Sequence, residues 1–288
     1  MRDSGLPTVS CRNDARFLSN RRHLLVVGRE ILFACWSLAD DTMLLLLLDL
    51  IVGSAVNLRL VTNIRDPAAG QVGCPYAQRC WMALELKGVP YERVEIDLRS
   101  KPDWLLRISP LGRVPALITQ DDRAVVESTV INEFLEETSF NNPLLPQDPV
   151  DRARQRVLVH RVDARFIPSG FKWLCYGGSK HQQTWQEELR FWNQALVDGG
   201  GPFFGGEEMG LADVTLAPFA ERLEAALGVH RQQSMRQACV DAGLEELVGW
   251  LDRLWALPAF TVTRCESVEA VARVYEPEAV RGMSYLNQ

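Results

Sequence analysis

Cys74 is followed by Pro75, Tyr76, Ala77, Gln78 and Arg79, where the loop after the first strand meets a helix. A cysteine at a helix start is a candidate nucleophile. The first turn leaves backbone N–H groups unpaired and carries a partial positive charge, which favours thiolate over thiol. Pro75 suits the first helical position, where its missing N–H is not needed. A dithiol oxidoreductase carries its resolving thiol three residues after the nucleophile, and that position is Ala77. The chemistry implied is monothiol exchange, in which an external thiol resolves the mixed disulfide. Cys80 is the other nearby thiol, yet six residues along a helix place it about 9 Å up the axis, beyond disulfide reach. With Ala77, Trp81 and Leu84 it belongs to an apolar stripe and reads as a buried core thiol. A Cys-Pro pair at a helix start serves structure as readily as reaction, so the surrounding elements carry the argument.

Leu58–Asn63 reads as a strand, Pro75–Lys87 as a helix, and Val94, Ile96 and Leu98 alternate with charged neighbours as a half-buried strand. A short helical piece at Pro102–Arg107 leads to the apolar run Val114–Ile118. A polar turn at Gln120–Arg123 then joins it to Ala124–Val126 as a hairpin. Ser128 is placed to N-cap a helix running to about Glu137. The order βαβαββα is complete by residue 138. Asn141–Pro149 holds three prolines and two adjacent asparagines and reads as a linker. Beyond it, Asp151–Phe166, Thr184–Val197, Leu211–Leu227 and Leu244–Ala256 carry apolar residues at three- and four-residue spacing, as helices of a bundle do.

The chain has 288 residues, 47% of them hydrophobic and 24% charged, which describes a folded chain long enough for two domains. A net charge of -6 argues against a general nucleic-acid or anionic-membrane surface. Seven scattered cysteines do not make a secreted disulfide framework and point to a reducing compartment. His23, His160, His181 and His230 stand far apart, so no metal site assembles from local spacing.

The block Cys74–Gly88, then Lys101-Pro102-Asp103-Trp104, then Pro110–Leu117, then Glu127-Ser128 resembles the omega and lambda glutathione transferases in order and spacing. Gly201–Gly206 and Asp213–Glu224 extend the resemblance over roughly residues 58–288. It implies a thioredoxin-like domain over 57–140, a linker at 141–150 and an all-helical domain over 151–288, with glutathione as co-substrate and no metal. In that frame Cys74 is the catalytic nucleophile, and Val114 precedes a cis proline, Pro115. The Val114 backbone would pair with the cysteinyl part of glutathione like an added strand. Glu127 and Ser128 would take the γ-glutamyl end, and Lys101 the glycine carboxylate. Without the family pattern, Lys101 and Glu127 read as solvated charges, Ser128 as a cap and Val114 as a core strand residue. An acceptor pocket is expected between the domains, with Phe171, Trp173 and Tyr176 as candidates for its wall. Two features depart from the pattern. The loop Ile64–Gly73 is several residues longer than usual, and Gly210 stands where a Ser or Thr N-cap is typical.

The activity implied is reduction of glutathione mixed disulfides, with dehydroascorbate or glutathione conjugates as further substrates of the same thiol. The alternatives are a non-catalytic protein resembling the chloride intracellular channel proteins, which share the Cys-Pro-x-x-Gln-Arg helix, and a conjugating enzyme using the Tyr76 hydroxyl. Partners expected are glutathione and small-molecule or protein disulfides, with no nucleic acid, in a monomer or homodimer. Residues 1–56 are expected to be a targeting or disordered extension. Six arginines face two aspartates within 1–29, and the apolar runs Ile31–Trp36 and Met43–Leu48 are too short to span a bilayer. The compartment expected is the cytoplasm, or an organelle if this segment is a transit peptide.

Overall fold

A computed structural model describes residues 23–27, 30–34, 58–139, 141–265 and 267–283. Met1–Ala55 and Val56–Gln288 form separate compact units. In the first, β1 (His23–Val27) pairs antiparallel with β2 (Glu30–Ala34). The arginine-rich start and the run Met43–Leu48 lie outside the described residues.

The second unit opens with β3 (Leu58–Asn63), whose burial pattern is that of a central strand covered on both faces. A small antiparallel hairpin follows, β4 (Arg65–Asp66) with β5 (Gln71–Val72), formed by the long Ile64–Gly73 loop. Then come α1 (Pro75–Lys87), β6 (Tyr91–Ile96) and α2 (Asp103–Ile108). The strands β7 (Ala116–Ile118) and β8 (Ala124–Val126) lead into α3 (Ser128–Thr138). The sheet order is β6-β3-β7-β8, with β6 parallel and β7 antiparallel to β3. This is a thioredoxin-like α/β domain of order βαβαββα with the small hairpin inserted before its first helix.

The register explains why the loops matter. Asn63 pairs with Ile96, Val61 with Ala116, and Ala116 with Val126. The loops after β3, after β6, before β7 and after β8 therefore leave the sheet at one end, and they carry Cys74, Lys101, Val114 and Glu127. α1 ends on Gly88 at φ 61°, a left-handed stop that any side chain would strain.

The α/β domain is joined to an all-helical one, and the connecting segment is fastened along its length. Glu136 accepts from the N–H groups of Leu144 and Leu145 and pairs with buried Lys87, while Leu211 N–H donates to Leu144 O. The first helix of the second domain, α4 (Pro149–Arg161), begins where Asp148 accepts from the N–H groups of Val150 and Asp151. It runs into a π-helical turn, Val162–Phe166, and then α5 (Ile167–Tyr176). After α6 (Gly178–Gly199) and α7 (Leu211–Arg231) come α8 (Met235–Asp241) and α9 (Glu245–Ala256). The chain closes with α10 (Pro258–Thr263), α11 (Val268–Val274) and α12 (Pro277–Arg281). α7 is buried around nearly its whole circumference and forms the axis of this domain. No helix among the described residues is long and apolar enough to cross a membrane.

Candidate active site

Cys74 is the N-cap residue of α1, in extended conformation, with Pro75 at the first helical position as the sequence requires. Its own N–H donates to Asn63 Oδ1 at 2.6 Å, which fixes the end of β3 against the helix start. The Val114–Pro115 peptide is cis, as expected, and Cys74 Sγ lies 3.7 Å from Val114 O. Cys74 Sγ accepts no capping hydrogen bond, but the backbone N–H groups of Tyr76 and Ala77 at the helix start, with the Arg222 and Arg79 charges, favour the thiolate; burial outweighs them and raises the thiol above its ordinary value. The lowered pKa expected from the helix start alone is thus opposed by the desolvation that packing imposes. Cys80 is fully buried, its thiol pushed up by desolvation, and its Sγ faces Ser128 O at 3.5 Å.

Ser128 corrects one expectation. It is the first residue of α3 and its side chain caps no N–H; the cap position is Glu127, held at φ 69° and ψ 121°. The reason is local. The chain must reverse sharply from β8 into α3, and Glu127 absorbs that turn in a left-handed conformation, leaving Ser128 already helical. Buried Ser128 Oγ instead accepts from Arg79 at 3.4 Å. Glu127 is exposed beside it. Lys101 is exposed too, and its chain runs so close over Gly112 that a β-carbon there would meet Lys101 Nζ at 3.2 Å. Cys74, Lys101, Val114, Pro115, Glu127 and Ser128 thus share the loop end of the sheet.

The three aromatic candidates do not join them. Phe171 is completely buried and stacks on Tyr275 at 5.6 Å. Trp173 is buried beneath the Arg231 guanidinium. Tyr176 is exposed near His181. Their i, i+2, i+5 spacing spreads them around α5, whose first two turns are enclosed on every side, so Phe171 and Trp173 are core residues and not pocket walls.

Charged groups missing from the sequence-level site surround Cys74. Arg79 is fully buried: Nε donates to Thr215 O at 2.9 Å, and Nη2 pairs with Asp163 Oδ1 on the π-turn at 2.7 Å. Its guanidinium also lies 4.8 Å from the Tyr76 ring centre and 4.9 Å from that of Phe219. Buried Arg222 on α7 pairs with Glu221 at 2.6 Å, donates to Gln78 Oε1 and reaches Val72 O and Gly73 O at 3.4 Å. Gln78 and Arg79 stand in the motif that singled out Cys74, which was the available signal. Glu221 and Arg222 lie within the resembling stretch Asp213–Glu224 but give no signal of their own, because charges along a helix read as a solvent face.

Family models for the glutathione S-transferase N-terminal domain and C-terminal domain match residues 73–138 and 152–253. The chain belongs to the glutathione S-transferase family. It is 31% identical to the chloroplastic glutathione S-transferase DHAR3 of Arabidopsis thaliana over 69% of this chain and 72% of that one. The tau-class glutathione S-transferase of mango, Mangifera indica, superposes with a TM-score of 0.64 at 28% identity, over 75% of this chain and 96% of that one. Omega glutathione transferase 3C of Trametes versicolor does so with a TM-score of 0.62 at 28% identity, over 73% and 90%. This glutathione transferase is an enzyme with glutathione as co-substrate, and the α/β and helical domains described above are those of its family.

Proposed function

We propose that this glutathione transferase is a thiol transferase acting through Cys74. The observation that carries the reading is the position of Cys74 Sγ, at the start of α1, beside Val114 O and the cis proline. The Cys74 thiolate attacks the glutathione sulfur of a mixed disulfide. An S–S bond forms to Cys74 as the old one breaks, and the acceptor thiolate leaves and takes a proton. A second glutathione thiolate then attacks the Cys74-bound glutathione sulfur, releasing glutathione disulfide and restoring Cys74. Val114, Pro115, Glu127, Ser128 and Lys101 hold the tripeptide, with Val114 offering its backbone to the cysteinyl unit and Glu127 its carboxylate to the ammonium. Dehydroascorbate and glutathione conjugates are substrates by the same thiol. The likeness to the DHAR protein and the omega structure supports this reading, and that to the tau structure supports the rival of conjugation without a cysteine nucleophile. Tyr76 is poorly suited to that rival, since burial pushes its phenol up to about 12. We place the enzyme in a reducing compartment, the cytoplasm or an organelle such as the one named for the chloroplastic relative.

Oxidised glutathione should leave a glutathione adduct on the Cys74 peptide, found by mass spectrometry, and reduction of hydroxyethyl disulfide should fall to background in Cys74→Ser. An unmodified Cys74 in an enzyme that still conjugates electrophiles would favour the rival.

A further inference from the structure

The inserted β4–β5 hairpin does not stand free. Arg65 Nη1 donates to Thr263 O at 2.9 Å and Arg264 O at 2.5 Å, with Val262 O at 3.5 Å, so one guanidinium caps the carbonyl end of α10. The same guanidinium lies 4.9 Å from the Trp81 ring centre, and Arg93 stacks there as well, at 4.0 Å. At the other end of the hairpin, Arg222 holds Val72 O and Gly73 O. The hairpin, α10 and Trp81 close over one side of Cys74. The cavity they leave, lined by Asn63, Arg65, Gly73, Trp81, Arg222 and Thr263, measures about 20 Å³. That is room for roughly one water molecule, far less than any disulfide substrate.

We propose that the hairpin and its Arg65 strap are a size-selecting wall. They seal the Trp81 side of Cys74, so an acceptor must present its sulfur from the side of Val114 and Ser128, and bulky acceptors are rejected. Arg65 is the specificity-determining residue, because among the described residues its guanidinium alone joins the hairpin to the carbonyls of 262–264. The inference rests on Cys74 as the reactive thiol but not on glutathione as its partner.

The test measures alkylation of Cys74 in the full chain by two reagents of the same chemistry and different bulk, N-ethylmaleimide and fluorescein-5-maleimide. Modification is mapped to the Cys74 peptide by mass spectrometry. Two variants are compared with wild type: Arg65→Ala, and a chain in which residues 66–71 are replaced by two glycines. Circular dichroism establishes that each is folded. In a folded variant the rate ratio of fluorescein-5-maleimide to N-ethylmaleimide should rise by about tenfold or more, a barrier difference of about 1.4 kcal/mol, while the N-ethylmaleimide rate changes little. A ratio unchanged in every folded variant would overturn the wall. Because no glutathione is present, the experiment is independent of the adduct test: an opened wall with no glutathione adduct removes the thiol-transferase reading alone.

Discussion

Cys74 is subject to two opposed effects. Backbone N–H groups and the Arg222 and Arg79 guanidinium groups favour its thiolate, burial disfavours it, and burial wins. A thiol raised by burial is overwhelmingly protonated at neutral pH. The rate of N-ethylmaleimide addition to Cys74 should therefore climb about tenfold per pH unit from 6 to 8.5. It should show no plateau below pH 9; a plateau near 6 would mean the helix start prevails. Glu127 shows strain and function in one residue. A non-glycine residue at φ 69° costs on the order of 1 kcal/mol, which Glu127→Gly relieves while removing the carboxylate proposed to hold the γ-glutamyl ammonium. Urea denaturation should find the variant as stable as wild type or more so, by up to about 1 kcal/mol, and glutathione titration should find it weaker in binding. Loss of both together would make Glu127 a structural residue.

At the scale of elements, the start of α7 shows how a missing cap is replaced. Gly210 lacks the usual Ser or Thr side chain, and a β-carbon there would lie 2.7 Å from Gly205 Cα, so no capping side chain fits. Asp213 takes over the work. Its carboxylate accepts from the N–H groups of Phe204, Gly205 and Gly210 and from Trp250 Nε1, at 2.7–3.1 Å, against a burial that pushes the carboxyl up to about 6. Asp213→Asn sets an amide NH2 against two of those donors and should cost about 2–4 kcal/mol in chemical denaturation. A loss below about 0.5 kcal/mol would mean that the loop relaxes around the amide. The same elements mark what a sequence can reveal. Leu58–Asn63, Pro75–Lys87 and Ala124–Val126 were legible to the residue, because alternation, a Pro-marked start and a glycine stop are local signals. Ser128 was misplaced by one position because the backbone turn at Glu127 depends on how β8 meets α3. The hairpin within Ile64–Gly73 leaves only its length as a trace, since its strands are two residues long and tied to distant α7, α10 and α11. α5 was read through its aromatics as a pocket wall because burial on all sides is a property of neighbours.

Across the whole molecule, the two domains of the transferase meet through buried charge. Gln78 on α1 donates to Glu221 and accepts from Arg222, Cys265 N–H donates to the other Glu221 oxygen, and Arg79 reaches from α1 to Thr215 and Asp163. Buried ionic groups add little to stability over apolar ones, but they make separation of their parts costly, because each would be left with an uncompensated partner. The helical domain is thereby locked to the helix that carries Cys74, and the hairpin beside the thiol is fixed from both α7 and α10. Glu221→Gln tests that coupling. It removes the Glu221 charge from beside the buried Arg222 guanidinium, so the expected loss is about 3 kcal/mol, and the loss should fall on the junction between the domains. Unfolding followed by fluorescence, with Trp81 in the α/β domain and Trp185, Trp192 and Trp250 in the helical one, should pass from one transition in the wild type to a broadened or split one in the variant. An equally steep single transition at lower denaturant would show that apolar packing between α1 and α7 holds the domains together without the charges.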